Sequence, residues 1–300
     1  MLGALYHSGL RATGIAALAR HARAGGVILC YHNVVGDEPC GGDVGLHLPV
    51  TEFVRQVDWL GRHYQVIPLA EFADRVRANR SVRHLAVVTF DDGYRGVFTH
   101  AWPVLRGMGI PATVFIPTDL IQRGDGFWWD HPSVRRDFTP SRRESWLTDF
   151  RGDAEAIGQA VFEEATPFRP AVLRPADWST IGRAAAEGLE LGVHSATHRN
   201  LTCLDDDELT RELCDSRERL WRECGVRGEA FAYPYGIFDA RVRAAVRGAG
   251  YRAAVTVEYG LNSPQTDPWA LKRVNIPSPI SDAAFETWVS GLRPRLWGAE

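Results

Sequence analysis

The chain has 300 residues, and its 45% hydrophobic content is enough to bury a core in one barrel or in two smaller domains. A net charge of −3 offers no basic surface for nucleic acid, so the sequence gives no support to a DNA- or RNA-binding role. No run approaches the roughly 18 consecutive apolar residues that a membrane-spanning helix needs.

Residues 1–26 precede the main pattern and predict a helix. Leu5, Leu10 and Ile15 suit its apolar face, and Arg20 lies near its end. The Gly14–Ala19 stretch imitates a signal-peptide cleavage site, but no Lys or Arg precedes Arg11 and the apolar segment is short. We therefore predict a retained helix that packs on the main domain and contacts a membrane surface peripherally.

The five cysteines predict a reducing compartment. They stand at 30, 40, 203, 214 and 224, without the paired spacing of a metal site, and their number is odd. Cys30 lies inside an apolar strand rather than in a disulfide framework. A cytoplasmic location follows as the expectation, with export as its alternative.

From residue 27 onward, strand-like runs alternate with helical runs. The predicted strands are 27–31, 85–90, 112–116, 189–193, 230–233, 253–257 and 271–276. The predicted helices are 51–62, 69–78, 97–108, 177–187, 205–223, 239–248 and 282–292. Repeated β-then-α order predicts parallel strands and an α/β barrel over 27–300, with a long insertion near 117–175.

Two adjacent acids end the most apolar strand. Asp91 and Asp92 follow the run Leu85–Phe90, and Gly93 permits a sharp turn after them. Successive strand residues point to opposite sides, so the two carboxylates should not share one role. The alternative is a solvated Asp-Asp-Gly turn.

A second strand, Leu189–Val193, ends in two histidines. If His194 and His198 lie on one helical turn, their side chains face the same way and can hold one metal ion. Such a pair alone is also common on surfaces. With one carboxylate from the first strand end, the pair makes the three-ligand set of a catalytic zinc site, and the second carboxylate is free to act as a base.

Three motifs resemble those of the polysaccharide deacetylases, the carbohydrate esterase family 4 with the NodB homology domain. They are TFDDGY at 89–94, HSATH at 194–198 and AYPYG at 232–236. The similarity covers nearly the whole chain from about residue 27. It implies a distorted (β/α) barrel that hydrolyses the N-acetyl groups of an amino-sugar glycan or glycoconjugate with the help of a metal ion.

The resemblance also implies a role for each motif. Asp92, His194 and His198 would bind Zn²⁺ or another divalent metal, and Asp91 would be the general base. The backbone N–H of Tyr235 would bind the oxyanion, with Pro234 limiting the backbone before it. Pro234 and Tyr235 would also contact substrate.

Two departures from the family pattern need substitutes. Many members have an arginine two residues before the motif proline, where this chain has Ala232, and Arg273 on a late strand is our candidate replacement. The alternative for Arg273 is a surface salt bridge. The family's C-terminal catalytic histidine is missing, since no histidine follows His198. His32, after the first strand, is the candidate acid, as in the subset that resembles the poly-N-acetylglucosamine deacetylases.

The 117–175 segment contains adjacent aromatic residues on a glycine-rich loop. We predict that Trp128, Trp129 and Asp130 bind sugar, with burial under the loop as the alternative for each ring. Two other functions stay open for the chain. One is a metal-dependent amidase or deformylase acting on a lipid-linked sugar or a small cyclic amide, and the other is a carbohydrate-binding pseudoenzyme.

Overall fold

The computed structural model describes residues 2–38, 41–43, 45–124, 126–161 and 170–292. The strands are β1 Val27–Tyr31, β2 Asn33–Val35, β3 His47–Pro49, β4 Gln65–Val66, β5 Leu85–Phe90, β6 Ala112–Ile116, β7 Glu190–Val193, β8 Ala230–Ala232, β9 Ala253–Val255 and β10 Val274–Asn275. The helices are α1 Leu2–Ala12, α2 Ile15–Ala22, α3 Val50–His63, α4 Leu69–Arg77, α5 Trp102–Gly107, α6 Thr118–Arg123, α7 Pro132–Asp137, α8 Pro140–Thr148, α9 Ala154–Val161, α10 Trp178–Ala186, α11 Asp206–Cys224, α12 Ala240–Gly248 and α13 Asp282–Val289.

The main sheet is parallel and curls into a barrel, as the βα order predicts. Its strand order is β10-β1-β5-β6-β7-β8-β9, with β4 beside β5. A parallel bridge between Val255 and Leu271 joins the last strand to the segment that leads into β10. This bridge closes the ring, so the predicted distorted (β/α) barrel is confirmed.

Strand periodicity decides which side chains enter the barrel. Val87, Thr89 and Asp91 alternate with Ala86, Val88 and Phe90, which pack in the larger core outside the sheet. The interior side packs Val87 against apolar residues of other strands, including Ile28 and Leu271, with Phe72 of α4 below them. At the carboxyl end of the barrel this interior side becomes polar, where Thr89 and Asp91 lie.

Several predicted elements differ in detail from the structure. The N-terminal helix is two helices, because Gly14 adopts a φ of 74° between α1 and α2. The predicted 97–108 helix opens with a π-helical turn over Val97–Ala101 before α5. The 117–175 segment is not mainly loop, since α6, α7, α8 and α9 occupy much of it.

The N-terminal helices pack on the barrel through α13. His7 of α1 is buried, and its Nδ1 lies 2.7 Å from Thr287 Oγ1. None of the helices among the described residues has both the length and the apolar character to cross a membrane. Cys30, Cys203, Cys214 and Cys224 are free thiols, and Cys40 lies outside the described residues.

Candidate metal centre and active site

The polar residues of the motifs meet at one end of the barrel because parallel strands end on the same side. Asp91 follows β5 and donates its N–H to Tyr31 at the end of β1. His194 follows β7 and donates its N–H to Ile116 at the end of β6. Residues far apart in the sequence thus reach one site.

Asp92, His194 and His198 form a compact three-ligand cluster. Asp92 Oδ1 lies 3.6 Å from His194 Nε2 and 3.4 Å from His198 Nε2, and the two Nε2 atoms are 3.1 Å apart. Ligand atoms held about 2.0–2.2 Å from a tetrahedral zinc ion are roughly 3.3–3.6 Å apart. The two carboxylate–imidazole separations fall in this range and the imidazole pair is slightly closer, so the three atoms can bind one ion with a somewhat narrower N–Zn–N angle. The donor set of one carboxylate and two imidazoles suits zinc and several other divalent metals.

The surroundings of the cluster also favour a cation. His194 Nδ1 donates to the carbonyl of Ala232 at 2.8 Å, which leaves the Nε2 lone pair free to coordinate. Burial lowers the pKa of both histidines, so both rings are neutral, as ligation requires. Burial and the adjacent Asp91 raise the pKa of Asp92, whose carboxylate contacts no Lys or Arg among the described residues.

The backbone of the cluster departs from the predicted helical turn. Residues 194–198 form an irregular loop, so that prediction is wrong, although the two imidazoles still converge. Ser195 and His198 adopt φ values of 62° and 60°, and Asp92 and Tyr235 adopt 71° and 58°. Non-glycine residues in this region are strained, and four of the seven in the described chain lie at this site.

Asp91 binds a buried arginine, and its Oδ2 also lies 3.9 Å from His194 Nε2. Arg273 donates from two nitrogens to the two Asp91 oxygens, each at 2.7 Å, and a third bond joins Arg273 Nε to the carbonyl of Thr256. The Arg273 side chain is fully buried, which excludes the surface salt bridge considered above. Burial alone would raise the pKa of Asp91, but the charge and hydrogen bonds of Arg273, together with the nearby His194 and His32, outweigh it and hold that pKa well below its usual range.

His32 lies beside Asp91 and lines the cavity. Ligand atoms of Cys30, His32 and Asp91 all lie within 4.8 Å of one another. Burial lowers the pKa of His32 to about 4, although Asp91 acts in the opposite direction. An unperturbed imidazole has a pKa near 6.5, so the lowered value makes His32 neutral at neutral pH.

A cavity of about 220 Å³ opens over the cluster, and aromatic side chains form one wall. The rings of Trp129 and Tyr235 lie 4.8 and 4.5 Å from the ring of His198, on which both pack. Trp128 is 6% exposed and donates to the Tyr235 hydroxyl at 3.2 Å. Both tryptophans line the cavity, but Trp128 belongs to a buried cluster with Trp146 while Trp129 is half-buried.

Asp130 is placed differently from the sugar-binding role predicted for it. It is 2% exposed and accepts from Tyr94 at 2.7 Å, and its other oxygen lies 2.9 Å from His47 Nε2. Trp129 Nε1 donates to the same Tyr94 hydroxyl at 2.8 Å. Both oxygens of Asp130 are hydrogen-bonded to protein groups, so they do not face the cavity. Asp130 instead orients the Tyr94 hydroxyl, which accepts the hydrogen bond from Trp129.

Several cavity residues were missed by the sequence reasoning, among them Asn275 and Arg143. Asn275 lines the cavity, and its buried Oδ1 has no hydrogen-bond partner in the described structure. Its position two residues after Arg273 on a strand was the available signal, since such residues share a face. Arg143 of α8 also lines the cavity, and nothing in its local sequence distinguishes it.

Comparison with known proteins identifies the family. The family model described as Polysaccharide deacetylase matches residues 78–254, more than half of the chain. The chain belongs to the polysaccharide deacetylase family. The resemblance drawn from the three motifs is therefore confirmed, and with it the class of enzyme, a hydrolase of the N-acetyl amide bond.

Three similar proteins illustrate the membership of the chain in this family. The YxkH protein of Bacillus subtilis (strain 168) is 22% identical over 268 residues, which cover 89% of this chain and 76% of that protein. The poly-beta-1,6-N-acetyl-D-glucosamine N-deacetylase of Escherichia coli (strain K12) is 27% identical over 81% of this chain. The match covers only 35% of that enzyme's length. The Streptococcus pyogenes deacetylase PplD, solved with acetate, shares the fold with a TM-score of 0.65 at 18% identity, over 90% of this chain and 99% of its own.

Proposed function

We propose that this polysaccharide deacetylase removes acetyl groups from an N-acetylglucosamine polymer, with poly-β-1,6-N-acetylglucosamine as the first candidate. The observation that carries the proposal is the three-ligand cluster beside an ionised carboxylate in a cavity walled by aromatic rings. The named substrate of the Escherichia coli relative supports the choice of polymer. Aromatic faces suit the apolar faces of sugar rings.

Asp91 is proposed as the general base. Its low pKa keeps it ionised at neutral pH, and the two bonds from Arg273 hold its orientation. A base this weak takes a proton only from an acidified water. A divalent ion held by Asp92, His194 and His198, with Zn²⁺ our proposal, would supply that acidity and polarise the acetyl carbonyl.

Tyr235 and His32 complete the proposed set. Tyr235 follows Pro234 with a left-handed φ of 58°, which supports a backbone N–H aimed to bind the oxyanion. His32 is neutral in the free site, so it must gain a proton before it can protonate the leaving amine. Its proximity to Asp91 suggests that the proton accepted by the base reaches the amine through His32.

Acetate release from a substrate panel tests the proposal. The panel contains β-1,6-linked and β-1,4-linked N-acetylglucosamine oligomers, a lipid-linked N-acetylglucosamine and a small cyclic amide. We expect acetate from the β-1,6 oligomer at the highest kcat/KM, and a rate lower by roughly 10²–10⁴-fold with Asp91→Asn. Turnover of only the lipid-linked sugar or the cyclic amide would favour the amidase alternative. No turnover by metal-loaded protein would favour a binding role.

The N-terminal helices support a second, separate proposal of peripheral membrane contact. Leu5 is 71% exposed and Leu18 69% exposed, and Tyr6 and Ile15 are also exposed. No Asp or Glu occurs before Asp37, so α1 and α2 carry no acidic side chain that would repel an anionic membrane surface. We expect sedimentation with anionic vesicles that a Leu5→Ser, Leu18→Ser variant loses and that Val54→Ser, at another exposed apolar position, keeps. Equal sedimentation of all three proteins would contradict membrane contact by these helices.

The cytoplasmic location stays a prediction.

A further inference from the structure

The loop that carries the two histidine ligands needs support from outside itself. It has no helical hydrogen bonds, and Ser195 and His198 both hold left-handed backbone conformations. A non-glycine residue in this conformation is strained and persists only where neighbouring structure compensates. Within the loop, one bond contributes: His198 N–H donates to Ser195 Oγ at 2.9 Å.

Two elements outside the loop support it: the N–H groups of Thr118 and Asp119 in α6 donate to the carbonyls of Ser195 and Ala196, and a buried carboxylate of α11 accepts from the loop. Glu212 of α11 is 2% exposed, and its Oε2 accepts the N–H groups of Ala196 and Thr197, both at 2.9 Å. Ala196 and Thr197 are two of the three residues between the ligands. Its Oε1 accepts the Thr197 hydroxyl and lies 3.4 Å from an Arg199 nitrogen.

The helix that carries Glu212 is itself anchored close to the loop. Asp205 and Glu208 form a capping box at the start of α11. The Asp205 side chain accepts the Glu208 N–H, and the Glu208 side chain accepts the Asp205 N–H. Glu208 also binds Arg199, the residue directly after the second ligand, at 3.1 Å. The contacts of α11 with the loop therefore fix the position of the Glu212 carboxylate, and both of its oxygens accept hydrogen bonds from the loop.

We propose that Glu212 is a positioning residue that sets the metal affinity of the site through the 194–198 loop. The inference rests on the proposed metal site. Without the carboxylate, the N–H groups of Ala196 and Thr197 lose their acceptor, which is unfavourable for groups shielded from water. The loop then relaxes toward a less strained backbone, and the two Nε2 atoms no longer point at one metal position. Groups that orient metal ligands in this way typically change metal affinity by about 10–100-fold.

Three variants separate positioning from general support of the fold. Glu212→Leu removes both acceptors, whereas Glu212→Gln keeps one oxygen that can still accept from both backbone N–H groups. Glu218→Gln, at an exposed position on the same helix, is the matched control. The dissociation constant for Zn²⁺ is measured by competition with a chromophoric chelator, and the melting temperature of the metal-free protein is measured beside it.

We expect the Zn²⁺ dissociation constant to rise about 10–100-fold in Glu212→Leu, less in Glu212→Gln, and not at all in Glu218→Gln. Saturating Zn²⁺ should restore kcat in both Glu212 variants with KM unchanged. A lower melting temperature with an unchanged dissociation constant would overturn the inference, because that result describes structural support alone. If Glu212→Leu does not fold, wild-type affinity in Glu212→Gln together with wild-type kcat at limiting metal would overturn it.

The outcome also separates this inference from the proposed function. Wild-type protein that binds no Zn²⁺ would overturn both. Wild-type protein that binds Zn²⁺ and releases acetate, with Glu212 variants that bind it equally well, would overturn only the role of Glu212.

Discussion

At the scale of single residues, the adjacent carboxylates Asp91 and Asp92 occupy opposite electrostatic surroundings. Asp91 faces the guanidinium of Arg273, which keeps it ionised. Asp92 faces two neutral imidazoles and has a raised pKa in the absence of a cation. The same side chain thus suits proton acceptance at one position and metal ligation at the next.

Asparagine substitutions should separate the two carboxylates. Asp91→Asn should keep its metal and lose roughly 10²–10⁴-fold in rate, the usual scale for a general base. Asp92→Asn should weaken metal binding, because the amide oxygen carries no charge. Metal content and acetate release measured on both variants check this. The reverse pattern would show that the two roles are exchanged.

His32→Asn should affect amide and ester substrates differently. An amine leaves only when protonated, whereas the phenolate of an activated aryl acetate leaves without help. We expect a loss of roughly 10²–10⁴-fold on the N-acetyl sugar, most of the rate retained on the aryl acetate, and unchanged metal content. Equal losses on the two substrates would instead assign His32 a structural role.

Asn275→Ala tests a residue that only the structure revealed. Asn275 lines the cavity and its buried Oδ1 has no partner among the described residues, so we expect it to accept a hydrogen bond from the substrate. We expect KM for the glycan to rise about 3–10-fold, the value of one hydrogen bond, with kcat on the aryl acetate unchanged. An unaltered KM for the glycan would remove Asn275 from substrate binding.

At the scale of elements, the 117–175 segment builds the aromatic wall of the cavity. Trp128 packs with Trp146 at 5.8 Å between ring centroids, inside a cluster that includes residues of α7, α8 and α9. Trp129 lies at the edge of that cluster and is held by Tyr94. The two neighbouring rings therefore belong to different environments, one of core type and one facing the cavity.

Alanine substitutions of the two tryptophans should differ in kind. Trp128→Ala should cost roughly 3–5 kcal/mol of unfolding free energy, as for other buried tryptophans. Trp129→Ala should mainly raise KM for the glycan, and Trp129→Phe, which keeps a flat ring, should recover most of the affinity. Denaturant unfolding and steady-state kinetics check these outcomes. Similar unfolding losses in both alanine variants would show that both rings are core residues.

Some elements could be predicted from sequence, and others could not, for physical reasons. The bounds of β1, β5 and β6 match the prediction because each is a buried run of mainly β-branched or aromatic residues that ends at a clear signal. The loop 194–198 was predicted as a helical turn because residues four apart suggest helix. Left-handed conformations at non-glycine residues have no such local signal, since distant groups such as Glu212 stabilise them.

At the scale of the whole molecule, the barrel explains why motif residues could be predicted to meet. Parallel strands share one carboxyl end, so acids after β5 and histidines after β7 converge wherever they lie in the sequence. The partner of Asp91 was harder to predict. Arg273 reaches it because the Val255–Leu271 bridge and the pairing of β10 with β1 close the ring. That closure depends on the order of strands around the barrel.

The most direct test of the central claim combines metal content with acetate release on one set of samples. Wild-type protein should hold about one zinc or similar ion per chain and release acetate from the β-1,6 oligomer. Chelation should abolish the release, and added Zn²⁺ or Co²⁺ should restore it. The His194→Ala, His198→Ala double variant should hold no ion and release none. Metal content unchanged in the double variant, or acetate release that survives chelation, would contradict the account.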